Sequence, residues 1–551
     1  MKILSFILFI IHYSLIIVKG QVSQEWLSRF ALSASDIAVS IAVDQSGNVY
    51  SAGYSFTSGQ NYDYAVVKYN SSGVQLWFAK YDGPGHDVDF CRSSAVDAQG
   101  NVYITGSSRS GGIGTEDYAT LKYNSSGVLQ WAARYNGPAG GADVGFSLVN
   151  DDLGNVYVTG FSVGIGSDFD FLTVKYNSAG DTVWTARFNG PGNSTDQAFS
   201  IVRDNSGNIY ITGSSRFGSS SGTENFAVIK YNSSGVQQWV AGYNGPGGSY
   251  DVPDEVFVDA SGNVYVTGQS VSSGINYDYA TVKYNSAGVF LWAALYEGPA
   301  AGNEDANSIT VDNAGNVYIT GNSLGIASSG DYATIKYNSA GVQQWVARYN
   351  GTGNAFDNAH VVKIDALGNV YASGGSNGTG SNFDYVLIKY NSSGDTLQVI
   401  RYNGPANGYD VSFAMTLDSA NNIYITGQSL GSGTGDDFAT IKYSQTTGIQ
   451  PISNDIPLEF RLYQNYPNPF NPKTKIRFDI PNFDIRNSKF VIVKLAVYDV
   501  LGREVAVLVN KQLKPGTYEV QWDGTIYPSG VYLFKLITGD FIDTKKMVLV
   551  K

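Results

Sequence analysis

The stretch DAQGNVYITG, residues 97–106, decides the fold because it returns throughout the chain. Each copy has an Asp, then a turn residue, usually Gly, three positions later, and then a run of β-branched and aromatic residues. Eight copies follow one another at intervals of 53 to 55 residues. Their Gly-Asn-Val-Tyr core, with small variations, begins at Gly47, Gly100, Gly154, Gly207, Gly262, Gly315, Gly368 and Asn421. A fixed period of this length indicates a repeat architecture.

Two further marks keep the same period. A Lys-Tyr pair begins at Lys68, Lys122, Lys175, Lys230, Lys283, Lys336, Lys389 and Lys442, and a Trp stands nine residues later at Trp77, Trp131, Trp184, Trp239, Trp292 and Trp345. In the second unit, the apolar residues predict four strands, at 93–97, 101–106, 118–123 and 128–135. At the first turn we expect the Asp97 side chain to bond the backbone and Gly100 to take a positive φ.

Four-stranded units repeated radially are the blades of a β-propeller. The chain is therefore predicted to be all-β, and its Gly- and Tyr-rich composition favours the same class. The Trp-type fourth strand follows only seven units, counting a degenerate copy at 397–402, whereas residues 24–30 supply an eighth copy at the other end. We predict eight blades, with the N-terminal strand completing the last one and removing its open edge. Seven blades or an open solenoid is the alternative.

Residues 100–106 and their copies resemble the bacterial β-propeller repeats known as SBBP, and the resemblance covers about residues 21–443. It implies the fold and leaves the ligand open, because propellers host enzymes and binding proteins alike. The Trp strand is predicted to be the outermost one, with its indoles packed between blades. Tyr62 and Tyr64, at the start of a third strand, are the better candidates for an exposed binding surface.

The N-terminus has the form of a secretory signal peptide. Lys2 precedes a long apolar run, and small Gly20 marks the expected cleavage site. An uncleaved membrane anchor is the alternative. Loss of Lys2 and Lys19 takes the formal charge from −12 to −14, which disfavours nucleic-acid binding. The lone Cys91 allows no internal disulfide.

No catalytic constellation is evident in the repeat region. Its only histidines are His86 and His360, which lie in different units. The region therefore has too few His and Cys residues for a zinc site made from them. No nucleophile elbow or phosphate-binding loop is found. We therefore expect a protein that is not an enzyme.

A carboxylate stands eight residues before each hairpin Asp. These residues are Asp36, Asp89, Asp143, Asp196, Asp251, Glu304, Asp357 and Asp410. A second acidic set begins the third strands at Asp63, Asp117, Asp170, Asp278, Asp331, Asp384 and Asp437, with Asn225 in the fourth unit. One hypothesis is a cation-binding face, with Ca²⁺ as the metal that suits oxygen ligands. The alternative is that each carboxylate caps loop amides or bonds the adjacent blade.

The repeat ends at Tyr443, and an unrelated β-rich segment closes the chain. It resembles the type A C-terminal sorting domain of the type IX secretion system, with a longer stretch than usual at 482–490. The residues that carry the resemblance are Pro467, Asn468, Pro469, Phe470, Asn471, Pro472, Gly502, Arg503, Gly530, Lys545 and Lys546. The resemblance implies an immunoglobulin-like β-sandwich, recognised by the type IX machinery after transit through the periplasm.

The predicted organisation is a signal peptide at 1–20, the propeller at 21–444, a linker at 445–457 and the sorting domain at 458–551. We expect a bacterial surface or secreted protein with no transmembrane segment in the mature chain and no nucleic-acid partner. Its propeller would present loops to an extracellular glycan or protein as a binding or adhesion scaffold. A secreted hydrolase or lyase is the alternative. No cofactor is expected other than Ca²⁺.

Overall fold

A computed structural model describes residues 22–32, 34–57, 61–217, 224–272, 276–445, 450–453, 456–482, 491–524 and 527–551. Every regular element in these ranges is a β-strand, which confirms the all-β prediction for the described part of the chain. None of the described segments forms a helix with the length and apolar character that a membrane span requires. The predicted signal peptide lies outside the described residues. The chain divides into two compact units, Gln24–Ser444 and one that holds Gln445–Lys551.

The larger unit contains eight four-stranded sheets, numbered here in chain order after the N-terminal strand β1 (Val22–Phe30). Sheets one to four are β2 (Asp36–Val43), β3 (Val49–Thr57), β4 (Asn61–Tyr69), β5 (Gln75–Tyr81); β6 (Asp89–Val96), β7 (Val102–Arg109), β8 (Glu116–Tyr123), β9 (Leu129–Tyr135); β10 (Asp143–Asn150), β11 (Val156–Val163), β12 (Phe169–Tyr176), β13 (Thr182–Phe188); β14 (Gln197–Arg203), β15 (Ile209–Ser215), β16 (Asn225–Tyr231), β17 (Gln237–Tyr243).

Sheets five to eight continue the same order. They are β18 (Asp251–Val258), β19 (Val264–Val271), β20 (Tyr277–Tyr284), β21 (Phe290–Tyr296); β22 (Asp305–Val311), β23 (Val317–Leu324), β24 (Gly330–Tyr337), β25 (Gln343–Tyr349); β26 (Asp357–Ile364), β27 (Val370–Asn377), β28 (Phe383–Tyr390), β29 (Thr396–Tyr402); and β30 (Asp410–Leu417), β31 (Ile423–Gly431), β32 (Gly435–Gln445) with β1. The eighth sheet therefore takes its fourth strand from the other end of the unit.

Local turn chemistry builds each sheet. Asp97 Oδ1 accepts hydrogen bonds from the backbone N–H groups of Gln99 and Asn101, and Gly100 has a φ of 76°. Both expectations for this turn are thus confirmed. The first strand of the second sheet, β6, begins at Asp89 and not at residue 93 as predicted, because Asp89 already pairs with Ser108 on β7.

The core of the larger unit lies between successive sheets. Tyr50 and Tyr64 of the first sheet share one buried cluster with Cys91 and Leu121 of the second. The eighth sheet packs against the first in the same way, since Tyr424 and Phe438 share a cluster with Ala38 and Val67. The Thr440 hydroxyl also lies 2.8 Å from the Ser51 hydroxyl across this boundary. Tyr64 is fully buried, so its predicted place on an exposed surface is wrong.

The tryptophans tie neighbouring sheets together. Trp77 Nε1 donates to Ser125 O in the next sheet at 3.0 Å. A Cβ on Gly127 would lie 2.6 Å from the Trp77 ring, so this turn needs glycine both for space and for its φ of 81°. Trp26 of β1 makes the equivalent contact, donating to Ser71 O at 3.0 Å. The structure thus places these indoles between sheets.

The smaller unit has two four-stranded sheets around one core. One contains β33 (Gln450–Ser453), β34 (Arg461–Leu462), β35 (Lys473–Ile480) and β38 (Gly516–Asp523); the other contains β36 (Val491–Tyr498), β37 (Glu504–Leu513), β39 (Gly530–Thr538) and β40 (Phe541–Leu549). Phe478, Trp522 and Phe534 belong to the shared core. Strand β33 falls within the segment 445–457 that was predicted to be a linker, and it pairs with β38.

Candidate functional site: the inner strands and the loops around them

The carboxylates of the first acidic set are buried and bonded to backbone amides. All eight side chains are 0% exposed. The set accepts backbone N–H bonds as follows: Asp36 from Leu32, Asp89 from Gly83, Asp143 from Gly137, Asp196 from Gly190, Asp251 from Gly245, Glu304 from Leu324, Asp357 from Gly351 and Asp410 from Gly404. Burial raises the pKa of Asp89, Asp143, Asp196, Asp251, Glu304, Asp357 and Asp410. This geometry favours the alternative in which each carboxylate caps loop amides. A cation-binding face shared by the whole set stays a prediction.

The second acidic set pairs with a cation on the outermost strand. Arg187 donates to Asp170 Oδ2 at 2.9 Å and to the hydroxyl of Ser162 at 2.6 Å. Six of the eight sheets show such a pair: Lys80–Asp63, Arg134–Asp117, Arg187–Asp170, Arg348–Asp331, Arg401–Asp384 and Arg29–Asp437. These ion pairs stabilise the scaffold and neutralise the carboxylates. In the six sheets that have such a pair, the second acidic set therefore does not present an unneutralised acidic surface.

Two sheets depart from the ion-pair pattern. In the fourth sheet both partners are absent, because Asn225 replaces the acid and Gly242 the base, and the Phe217 ring would lie 3.0 Å from a Cβ at Gly242. In the fifth sheet Asp278 remains, but Leu295 stands at the register position of the arginine, opposite Ala280. Asp278 is 4% exposed, and the hydroxyl of Ser272 bonds to it. Burial raises the pKa of Asp278.

This difference predicts opposite effects of one substitution in two sheets. Asp170→Asn leaves Arg187 without its carboxylate and is expected to lower the free energy of unfolding by about 3 kcal/mol. Asp278→Asn removes a buried charge that has no cation beside it among the described residues, and is expected to raise the melting temperature. Because the folded-state pKa of Asp278 is raised, the gain is full above that pKa and disappears as the pH falls below it. Thermal melts of both variants between pH 4 and pH 8 would check this, and stabilisation by Asp170→Asn would contradict it.

One position on the first strands does not repeat. Three residues after the capping carboxylate, the eight sheets carry Val39, Arg92, Phe146, Phe199, Asp254, Asn307, His360 and Phe413, here called the inner ring. Neighbouring members touch between sheets. Arg92 Cζ lies 4.7 Å from the Phe146 ring centroid, and the Phe146 and Phe199 centroids are 5.7 Å apart. The ring centroids of His360 and Phe413 are 5.3 Å apart.

The inner ring has an apolar part and a polar part. Phe146 and Phe199 stand side by side, whereas Asp254, Asn307 and His360 follow on the next three sheets. Asn307 donates to Asn358 Oδ1 and Ala359 O, both at 2.8 Å. All members are partly reached by solvent. The ring therefore presents hydrogen-bonding, acidic and aromatic groups along one inner surface.

The electrostatics of the ring follow from its enclosure. Burial raises the pKa of Asp254 well above its ordinary value, and the negative charge of Asp305 adds to the rise. Burial lowers the pKa of His360 to about 4, so this imidazole is neutral at pH 7. The charge of Glu255 raises the pKa of Asp254 further. Sequence reasoning missed this ring, although variation at one position of an otherwise regular repeat was a visible signal.

The residues of the C-terminal motif lie at several positions in the smaller unit. Phe470 is buried against Trp522, with ring centroids 5.3 Å apart, and its N–H donates to Val548 O on the last strand. Exposed Asn468 accepts a hydrogen bond from Val548 N at 2.9 Å and lies beside Lys546. Residues 467–472 are thus hydrogen-bonded to β40, the strand that contains Lys545 and Lys546. Gly502 and Arg503 form the turn before β37, and Gly530 begins β39.

Comparison with known families identifies both units. The model of the SBBP β-propeller repeat matches residues 25–56, 183–217 and 291–326. The model of the secretion-system C-terminal sorting domain matches residues 464–551. The chain carries SBBP β-propeller repeats and a type IX C-terminal sorting domain. The repeats and the sorting domain together support an exported surface β-propeller that the secretion machinery handles.

Individual relatives of this repeat protein are distant. An uncharacterized WD repeat-containing protein of Acanthamoeba polyphaga mimivirus is 24% identical over 411 residues, covering 66% of this chain and 26% of that protein. The chain thus spans about a quarter of that relative. A mutant NanB sialidase of Streptococcus pneumoniae is 12% identical, with 76% and 70% of the two chains covered and a TM-score of 0.33. A Staphylococcus aureus phage tail fiber is 9% identical, with 74% and 91% covered and a TM-score of 0.22.

Proposed function

We propose that the larger unit is a closed eight-bladed β-propeller and that the smaller one is an immunoglobulin-like sandwich. The first inference is supported by the eight sheets, by the position of β1 in the last of them, and by the packing of the eighth sheet on the first. The second is supported by two facing four-stranded sheets around one core. After removal of residues 1–20 and periplasmic transit, the sorting domain would take the propeller to the surface or the medium.

The propeller would serve there as a binding or adhesion scaffold, with the inner ring as its ligand site. The inner ring carries this proposal. The hairpin Asp, the Lys-Tyr pair and the Trp recur in nearly every sheet, where they serve the scaffold. The ring position instead carries Arg, Phe, Asp, Asn and His side chains that solvent reaches. Positions that vary on a rigid scaffold are where ligand specificity resides in repeat proteins. An extracellular glycan or protein loop with both apolar and polar groups suits this surface.

A secreted hydrolase or lyase built on the propeller is the second candidate. The inner ring also supports this candidate, because Asp254 and His360 have shifted pKa values and such residues gather at active sites. Catalysis would further require a nucleophile or a second acid placed against the same substrate atom. We propose binding without catalysis.

A screen of glycan and matrix-protein arrays with the mature protein would test the binding proposal. Any ligand found should lose affinity at least about tenfold with Phe199→Ala or Asp254→Asn, because each removes a group of the inner ring. Gln238→Ala, on the exposed outermost strand of the fourth sheet, is the matched control and should bind normally. Equal affinity of all three variants would place the ligand elsewhere. Turnover of a bound glycan by the wild-type protein would favour the enzyme.

A further inference from the structure

Three carboxylates meet where the chain passes from the first sheet to the second. Asp63 lies near the start of β4, opposite Ser55 of β3, Asp82 follows β5, and Asp89 begins β6. One carboxylate oxygen from each lies within 4.8 Å of the other two. Asp63 and Asp89 are buried, whereas Asp82 is exposed at the mouth of the cluster. The spacing of these oxygens matches the shell that a single oxygen-ligated cation requires.

The other loops of this kind differ in sequence. The position of Asp82 is Asn in five of them, at Asn136, Asn189, Asn244, Asn350 and Asn403, and Glu297 in the sixth. The outermost strand of the first sheet also carries Lys80, whereas five other sheets have arginine in the same type of pair. Lysine holds a carboxylate as a flexible point charge, without the rigid fork of arginine. The first sheet therefore combines an additional acid with a more easily displaced base.

A buried oxygen of the cluster has no partner. Asp89 is 0% exposed; its Oδ2 accepts the N–H of Gly83 at 2.6 Å, and its Oδ1 has no hydrogen-bond partner. The Lys80 ammonium lies 2.5 Å from Asp63. The exposed His86 imidazole lies beside Asp82, with Nδ1 3.0 Å from Oδ2. Two bases thus face three carboxylates, and a cation bound here would displace both of them.

We propose that Asp63, Asp82 and Asp89 bind a Ca²⁺ ion that links the first two sheets. The ion would take the place of the Lys80 ammonium, which has an exposed route to solvent because its side chain is 30% accessible. Three carboxylates supply three of the six to eight oxygens that Ca²⁺ takes, and water reaches the cluster from the side of Asp82. The site is separate from the inner ring, so it goes beyond the proposed binding function.

Titration of the chelator-treated mature protein with CaCl₂, by calorimetry and by thermal melting, tests the proposal. We expect binding in the range of about 10⁻⁴ to 10⁻³ M, typical of extracellular modules, and a rise in melting temperature. Absence of both heat and a melting shift at 5 mM CaCl₂, a level above that range, would overturn it.

Variants then locate the ion. Asp82→Asn introduces the residue of five other loops, so it should fold, and it should weaken Ca²⁺ at least about tenfold by removing a ligand. Lys80→Gln should strengthen binding by removing the competing ammonium. Asp152→Asn, an exposed acid in the turn between β10 and β11, makes the same charge change and should bind like the wild type. If Asp82→Asn binds normally and Glu297→Gln does not, the ion belongs to the fifth sheet and the proposal is wrong.

Discussion

Deletion of residues 22–31 from the mature chain is expected to abolish the native fold of the propeller. The deletion leaves β32 as an unpaired edge and removes the bonds of Arg29 to Asp437, Ser429 and Tyr402. It also removes Phe30, which lies in the core between the eighth and first sheets. An open edge of this kind invites pairing with another chain, so we expect soluble aggregates in place of a monomer.

Size-exclusion chromatography and thermal melting would measure this effect. A graded variant, Trp26→Ala, keeps the strand but removes the indole that contacts Gly73, and should cost about 3 to 5 kcal/mol. A chain that starts at Val22 and keeps the whole strand is the control. A monomeric deletion variant with an unchanged melting temperature would show that the ring does not depend on β1.

Deletion of residues 460–551 is expected to leave the propeller in the periplasm of the native host. The deleted part includes all of the sequence matched by the sorting-domain model. It also includes the 467–472 segment and strand β40, to which that segment is hydrogen-bonded. Because the two units have separate cores, the propeller itself should still fold. Fractionation followed by immunodetection would measure the loss from the surface and the medium.

The matching gain-of-function experiment fuses residues 445–551, which include β33, to a periplasmic reporter. We expect the fusion to be exported, whereas Phe470→Ala in the same fusion should fail because it removes a buried ring that packs on Trp522. The reporter without the fused domain is the control. Normal surface delivery of the truncated propeller would contradict the assignment of export to this domain.

Much of the architecture was readable from short-range patterns. The turn at Asp97 closes through bonds that span two to four residues, so its side-chain role and the φ of Gly100 followed directly from the residue types. The strand order within a sheet followed from the same short turns. The start of β6 was misplaced because Asp89 pairs across the sheet with Ser108, which lies 19 residues away.

The roles of the acidic residues depended on long-range contacts instead. Asp170 is neutralised by Arg187, 17 residues further on. Its counterpart Asp278 differs only because position 295 is Leu, which the repeat pattern of acids could not show. The sequence left cation binding and capping as alternatives for Asp89, and the structure shows that its two oxygens have different surroundings.

The repeat period, the turn residues and the sorting motif thus established the fold class and the export of this protein, because each depends on residues adjacent in the chain. The inner ring, the ion pairs between strands and the Asp63–Asp82–Asp89 cluster became visible only in three dimensions. Their members come from different strands or different sheets, and they meet because successive sheets pack face to face. Burial in those contacts then sets their charge and hydrogen bonding, which residue type alone does not specify.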